Sequence, residues 1–203
     1  MKLKKITKRT LSVSIVIIIS QLLAITAFAC NTAFFSGTYT ANAPSNQSNL
    51  KLLLFPSAIT PTLISSTYNN PGWNSSSPVI NVSITNWYQS IPNVDSYFPI
   101  YGEYWSNSSI LGETRVYDAN GNPVSANSNW HRVSININTN SAAFNTAEQA
   151  RKTFIHEVGH ALKLSHPGCA TRAVMHQGYP AATGSVAPTV QIHDTNNRNQ
   201  KWG

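Results

Sequence analysis

Charge is what this sequence has least of. Asp, Glu, Lys and Arg make up 10% of its 203 residues, against about a quarter in an average globular chain. No acid precedes Asp95, and Glu157 is the last glutamate. A chain so poor in charge is neither a coiled coil nor a charged disordered tail, and its Trp87, Tyr88, Trp105 and Trp130 supply core material that disordered chains lack. With only 10 glycines it is not collagen-like, and it has too few apolar runs for a polytopic membrane protein. Ser, Thr and Asn take the place of charge, which suits strands and surface turns. The length is that of one domain with a sizeable core.

The net charge of +7 does not point to nucleic acid. Lys2, Lys4, Lys5, Lys8 and Arg9 crowd the first nine residues, and setting those five aside from the 14 basic residues leaves +2. The others are scattered, so no basic groove is expected and nucleic acid is not an expected partner. The basic start is followed by an apolar run from Leu11 to Ile25 and then Ala27-Phe28-Ala29. That order is a secretory signal peptide over residues 1–29, cleaved after Ala29, and it predicts a secreted protein with no stable membrane span after cleavage. An uncleaved anchor or a lipidated Cys30 is the alternative, although Phe28 stands where lipoprotein signals want a small residue. Two cysteines, Cys30 and Cys169, remain. In an oxidising compartment they either bridge or stay free, and spacing does not decide between the two.

Residues 30–48 are polar and aperiodic and read as a leader or linker, leaving 49–203 as a single domain. Leu50 to Phe55 reads as a strand. Thr60-Pro61 opens a short helix toward Tyr68. Strands are predicted over Pro78–Ile84, Thr114–Tyr117 and Arg132–Asn138; in the last, Val133, Ile135 and Ile137 alternate with Ser134, Asn136 and Asn138. Asn145 and Glu148 form a capping-box pattern for a long helix running to Leu164, and Gln191 to Trp202 can form a terminal helix. Asp118-x-Asn120-x-Asn122 begins like a calcium loop but lacks the later carboxylate, so it reads as a turn, with no calcium expected.

The long helix carries His156-Glu157-Val158-Gly159-His160. Residues four apart share a helical face, so both imidazoles can serve one metal ion, and Glu157 beside them can take a proton from water. His166 stands ten residues after His156, with Pro167-Gly168 preventing helical continuation. Three protein ligands and one open position are what a catalytic zinc site requires. Glu157 cannot be followed by a downstream glutamate ligand, because there is none. His131, His176 and His193 are off ligand spacing and read as surface or packing residues.

His156-Glu-x-x-His160-x-x-x-x-x-His166, followed by Ala173-Val174-Met175-His176, resembles the metzincin zinc endopeptidases, most closely the matrixin-like branch. The strong motif covers about twenty residues, and the remaining agreement is in the order of elements. The resemblance implies an α+β fold: a small mixed twisted sheet, an early helix, a long active-site helix, a Met-turn at Met175 beneath the metal, and a C-terminal helix. It implies that the strand at Val133–Ile137 is the edge along which substrate lies. It also implies a monomeric zinc-dependent endopeptidase acting on protein or peptide, with Glu157 as general base. A non-enzymatic, zinc-stabilised binding domain is the alternative. It leans on Lys163, which occupies the place seven residues after the first His where the family usually has Gly. If the turn there needs positive φ, a side chain costs roughly 1 kcal/mol. No Pro-Arg-Cys-Gly segment is present for cysteine-switch latency, and zinc coordination by Cys30 is the weaker reading of that residue.

Overall fold

A computed structural model of the chain describes residues 33–38, 50–54, 72–76, 79–80, 82–86, 97–140, 146–178, 184 and 186–202. By its contacts the chain divides into Met1–Asn31 and Thr32–Gly203, and all described residues belong to the second unit. The signal segment, Cys30 and the helix predicted from Thr60 to Tyr68 lie outside the described residues. Among those that are described, no helix is long and apolar enough to cross a membrane.

The fold is α+β. Among the described residues seven strands, β1 (Leu50–Leu54), β2 (Ser75–Ser76), β3 (Val79–Ile80), β4 (Val82–Asn86), β5 (Tyr97–Glu103), β6 (Gly112–Tyr117) and β7 (Arg132–Asn138), precede two helices, α1 (Ala147–Ala161) and α2 (Ile192–Trp202). Five strands form one mixed sheet in the order β4-β1-β5-β7-β6, and β2 pairs with β3. Within the five-stranded sheet neighbours run parallel except β6, which is antiparallel to β7 with Thr114 opposite Ile135, and β2 and β3 are also antiparallel. The single strand predicted over Pro78–Ile84 is divided between two sheets, because alternation does not record a change of partner.

β7 is not the edge strand that the family resemblance implied. It lies inside the sheet between β5 and β6, and β6 is the edge. Nor is its polar face wet. Val133, Ile135 and Ile137 join Phe154, Ile155 and Val158 of α1 and its C-cap residue Leu162 in the core, while Ser134, Asn136 and Asn138 are buried as well. Their polarity is absorbed locally. The Asn138 side-chain amide donates to Asn107 O at 3.0 Å and Ile110 O at 2.7 Å, tying down the loop that leads into β6. A buried amide without those bonds would cost about 1–3 kcal/mol.

Helix α1 is capped one residue later than predicted. Thr146, with extended backbone, accepts from Gln149 N at 3.1 Å. At the other end Lys163 N bonds His160 O at 2.8 Å and Leu164 N bonds Gly159 O at 3.0 Å, the paired bonds of a Schellman reversal. Such a reversal places Lys163 in the left-handed region, at φ 65°. Its side chain offsets the strain. The residue is fully buried; its Nζ donates to Ser128 O at 2.9 Å and Ser36 O at 3.1 Å and stands 3.7 Å from the Trp130 ring centroid.

Those contacts also correct the linker expectation for residues 33–38, which are part of the folded body. Phe34 bridges Leu164, Ser165 N bonds Ala33 O at 2.9 Å, Phe35 N bonds Lys163 O at 2.7 Å, and Lys201 Nζ donates to Gly37 O at 2.6 Å. A polar, aperiodic segment can be ordered in this way because its backbone groups find partners on other elements.

Candidate metal centre

α1 presents His156 and His160 on the face that looks into a cleft of about 580 Å³. The Schellman reversal then carries the chain back, so that His166 faces them. Its Nε2 lies 3.0 Å from His156 Nε2 and 3.1 Å from His160 Nε2. One ligand atom from each of the three histidines falls within 4.8 Å of the others, so they are positioned to hold a metal ion. The second nitrogens are tied back: His156 Nδ1 to Val174 O at 2.9 Å and His160 Nδ1 to Leu164 O at 2.7 Å. A carbonyl can only accept, so both protons sit on Nδ1 and both Nε2 lone pairs point inward.

Burial keeps the rings neutral, as ligation requires. Desolvation holds His156 well below the usual imidazole value, helped by the nearby His160 and Lys152, and brings His160 down to about 4. His166 is lowered for the same first reason. Neutral imidazoles with converging lone pairs fit a borderline divalent ion. Tetrahedral zinc at 2.0–2.1 Å from nitrogen would set ligand pairs about 3.3–3.4 Å apart. The observed separations are a few tenths of an ångström shorter. His166 is the exposed member of the three.

Glu157 is 4% exposed, and burial pushes its carboxyl up to about 7 despite a bond from Thr114 that favours the charged form. Thr114 Oγ1 lies 2.8 Å from Glu157 Oε2 and 2.9 Å from its backbone oxygen, joining the edge strand to the helix. The strand comes this close because Gly112 has no side chain. A Cβ there would stand 3.0 Å from Glu157 Cγ and 3.2 Å from Asn136 O. Lys152, one turn before His156, is 2% exposed, and desolvation lowers its ammonium to about 8.

Under the helix, Met175 is 2% exposed in the turn whose Val174 carbonyl holds His156. Asp194 of α2 fixes that turn, accepting from Val174 N at 2.9 Å, Met175 N at 3.3 Å and Gln191 N at 2.8 Å. Trp73, fully buried, donates from Nε1 to Ile155 O at 2.9 Å. Met175 and Trp73 meet the helix at Gly159, where an added Cβ would run into Met175 Sδ and Trp73 Cζ2. Gly159→Ala is therefore expected to destabilise the protein by about 1–3 kcal/mol, read as a lower thermal midpoint. An unchanged midpoint would show that Met175 repacks freely.

Of the residues singled out in the sequence, the structure brings together His156, Glu157, His160 and His166, with Met175 beneath. Cys169 is disulfide-bonded. His193 is buried, 3.0 Å from the Asn197 amide. The Asp118 carboxylate is used by its own turn, accepting from the Asn120 and Asn122 backbone at 2.8 Å each. Sequence reasoning missed Thr114, Lys152, Asp194 and Trp73. Only Lys152 left a signal, its four-residue spacing from His156 on a shared helical face.

No protein-family profile matches the chain, and no curated protein is similar to it. Fold and site together define an α+β domain with three histidines positioned to hold a metal ion.

Proposed function

We propose that this protein is a secreted, monomeric zinc-dependent endopeptidase of the metzincin type, matrixin-like. The reading is carried by one observation: three inward Nε2 atoms and a buried carboxylate share a cleft bordered by an edge strand. Lys163, which favoured a non-enzymatic domain, makes the required reversal at φ 65°. His156, His160 and His166 would hold the zinc, which supplies Lewis acidity, polarising the scissile carbonyl and easing deprotonation of water.

The chain's own residues do the rest. An extended peptide pairs by main-chain bonds with β6, whose outer edge has no strand partner among the described residues. Glu157 accepts the proton of the attacking water and passes it to the leaving amine. Thr114 orients that carboxylate and favours its ionised form. Thr114→Val removes this bond and raises the Glu157 pKa, so the acid limb of kcat/KM is expected to move to higher pH. A limb that stays in place would dissociate Glu157 from the proton step.

The test of the whole reading is cleavage of casein or gelatin by the purified mature chain, with metal content measured on the same sample. Chelator-sensitive cleavage with about one zinc per chain is expected. Metal without cleavage of any unfolded protein would overturn the endopeptidase assignment, and absence of metal would overturn the site.

A further inference from the structure

The two ends of the cleft differ in chemistry. At the His160 end the lining is apolar: Phe35, Val116, Ala126 and Trp130, with the Phe35 ring 6.0 Å from that of His160. At the His156 end Lys152, Thr153 and Gln177 bring polar groups beside Ile110 and Leu111 of the loop that leads into β6. Lys152 and His160 are eight residues apart on α1, about 12 Å along its axis.

Lys152 is the anomaly of the polar end. Its side chain is buried, yet the ion pairs among the described residues join Arg115 to Glu103 and Glu113, and none includes Lys152. Its Nζ donates to His176 O at 2.7 Å. It also stands 3.4 Å from His156 Nδ1, but that nitrogen's proton is committed to Val174 O, so it cannot accept. The nearby carboxylates are engaged elsewhere: Asp194 with three backbone N–H groups, Glu157 with Thr114. An ammonium has three donors, and among the described residues only one is used. A buried cation with spare donors on a binding cleft is matched by an anion that arrives with the ligand.

We propose that Lys152 is a specificity-determining residue that binds a carboxylate of the substrate peptide on the C-terminal side of the scissile bond. The side follows from β6, which starts beside Glu157 at Gly112 and runs toward Val116 at the apolar end. A peptide antiparallel to β6 enters at the apolar end and leaves past Lys152. An acidic side chain or the peptide's own C-terminus supplies the same chemistry. This inference rests on the endopeptidase reading for the direction of the peptide, but not for the binding of a carboxylate.

The experiment uses the full mature, zinc-loaded chain and matched peptides carrying Glu or Gln after the cleaved bond, each as free acid and as amide. Cleavage is read by mass spectrometry, and binding by fluorescence anisotropy with the Glu157→Gln variant, so that affinity is measured without turnover. The expected result is at least about tenfold tighter binding of the carboxylate peptide over its amide partner. That ratio should fall to near one in Lys152→Met and persist in Lys152→Arg. Discrimination at the Glu/Gln position identifies an acidic side chain as the source, and discrimination between free acid and amide termini identifies the terminus. Cleavage without discrimination overturns the role of Lys152 and leaves the endopeptidase reading intact. Discrimination in binding without cleavage does the reverse. If Lys152→Met does not fold, the parental ratio alone decides.

Discussion

Replacing Glu157 by alanine is expected to lower kcat for peptide hydrolysis by about 10²–10⁴-fold, while metal content stays at about one zinc per chain. The carboxylate is not among the three clustered ligands, so its loss leaves His156, His160 and His166 in place. The edge strand also keeps its tie to the helix, because Thr114 Oγ1 still bonds the residue's backbone oxygen at 2.9 Å. Stability should move the other way. For the chelated protein, the folded carboxyl titrates at about 7 against an ordinary value of 4.5, so the folded state holds this proton more tightly than the unfolded one. The cost of ionising it is absent below 4.5, grows as pH rises through that window and is complete above 7. The alanine variant should therefore melt higher than the parent above pH 7, with the gain fading toward pH 4.5, as expected where a strained functional group trades stability for activity. Substantial residual turnover, with metal retained, would remove Glu157 from the proton-accepting role.

Asp194→Ala is expected to be the most damaging single change away from the cleft. Asp194 is 1% exposed and accepts from three backbone N–H groups, at Val174, Met175 and Gln191. Removing the carboxylate strands three donors in the interior, at a cost of roughly 3–5 kcal/mol. For a domain of this size that lowers the thermal midpoint by roughly 10 °C. The loss should reach the metal, because the turn that Asp194 fixes carries the Val174 carbonyl 2.9 Å from His156 Nδ1. Partners of this kind are worth about 10–100-fold in metal affinity, to be read by chelator competition. Asp194→Asn, which keeps one acceptor oxygen, should lie between. A lowered midpoint with undiminished affinity would show that His156 is oriented without the turn.

The parts of the site that lie on α1 were legible because a helix has a fixed geometry. Spacing of four puts His156 and His160 on one face whatever else the chain does, and Pro167-Gly168 ensures that His166 is off the helix. The strand at Arg132–Asn138 was legible for the same kind of reason, from its period of two. Its place in the sheet was not. The alternation of Val133, Ile135 and Ile137 with polar residues reads identically on an edge strand and on a central one whose polar face is satisfied by Asn138 and its neighbours. The edge passed to β6 because β7 pairs on one side with β5, and that pairing is set by long-range register.

Lys163 illustrates the limit from the other direction. By itself it is a departure from glycine in a turn that needs positive φ. Folded, it holds two carbonyls, one 35 and one 127 residues away along the chain, and anchors the segment at Ser36. Local sequence determined where the helix lies, which side chains share its face and where it must end, since those follow from backbone geometry repeated residue by residue. Only the tertiary structure decided which strand borders the cleft, which carboxylate supports the turn beneath the three histidines, and which buried ammonium has no carboxylate partner among the described residues. Each of those depends on groups far apart in the chain meeting in a medium of low dielectric, where an unmet hydrogen bond or charge is costly and is answered by whatever the fold brings alongside.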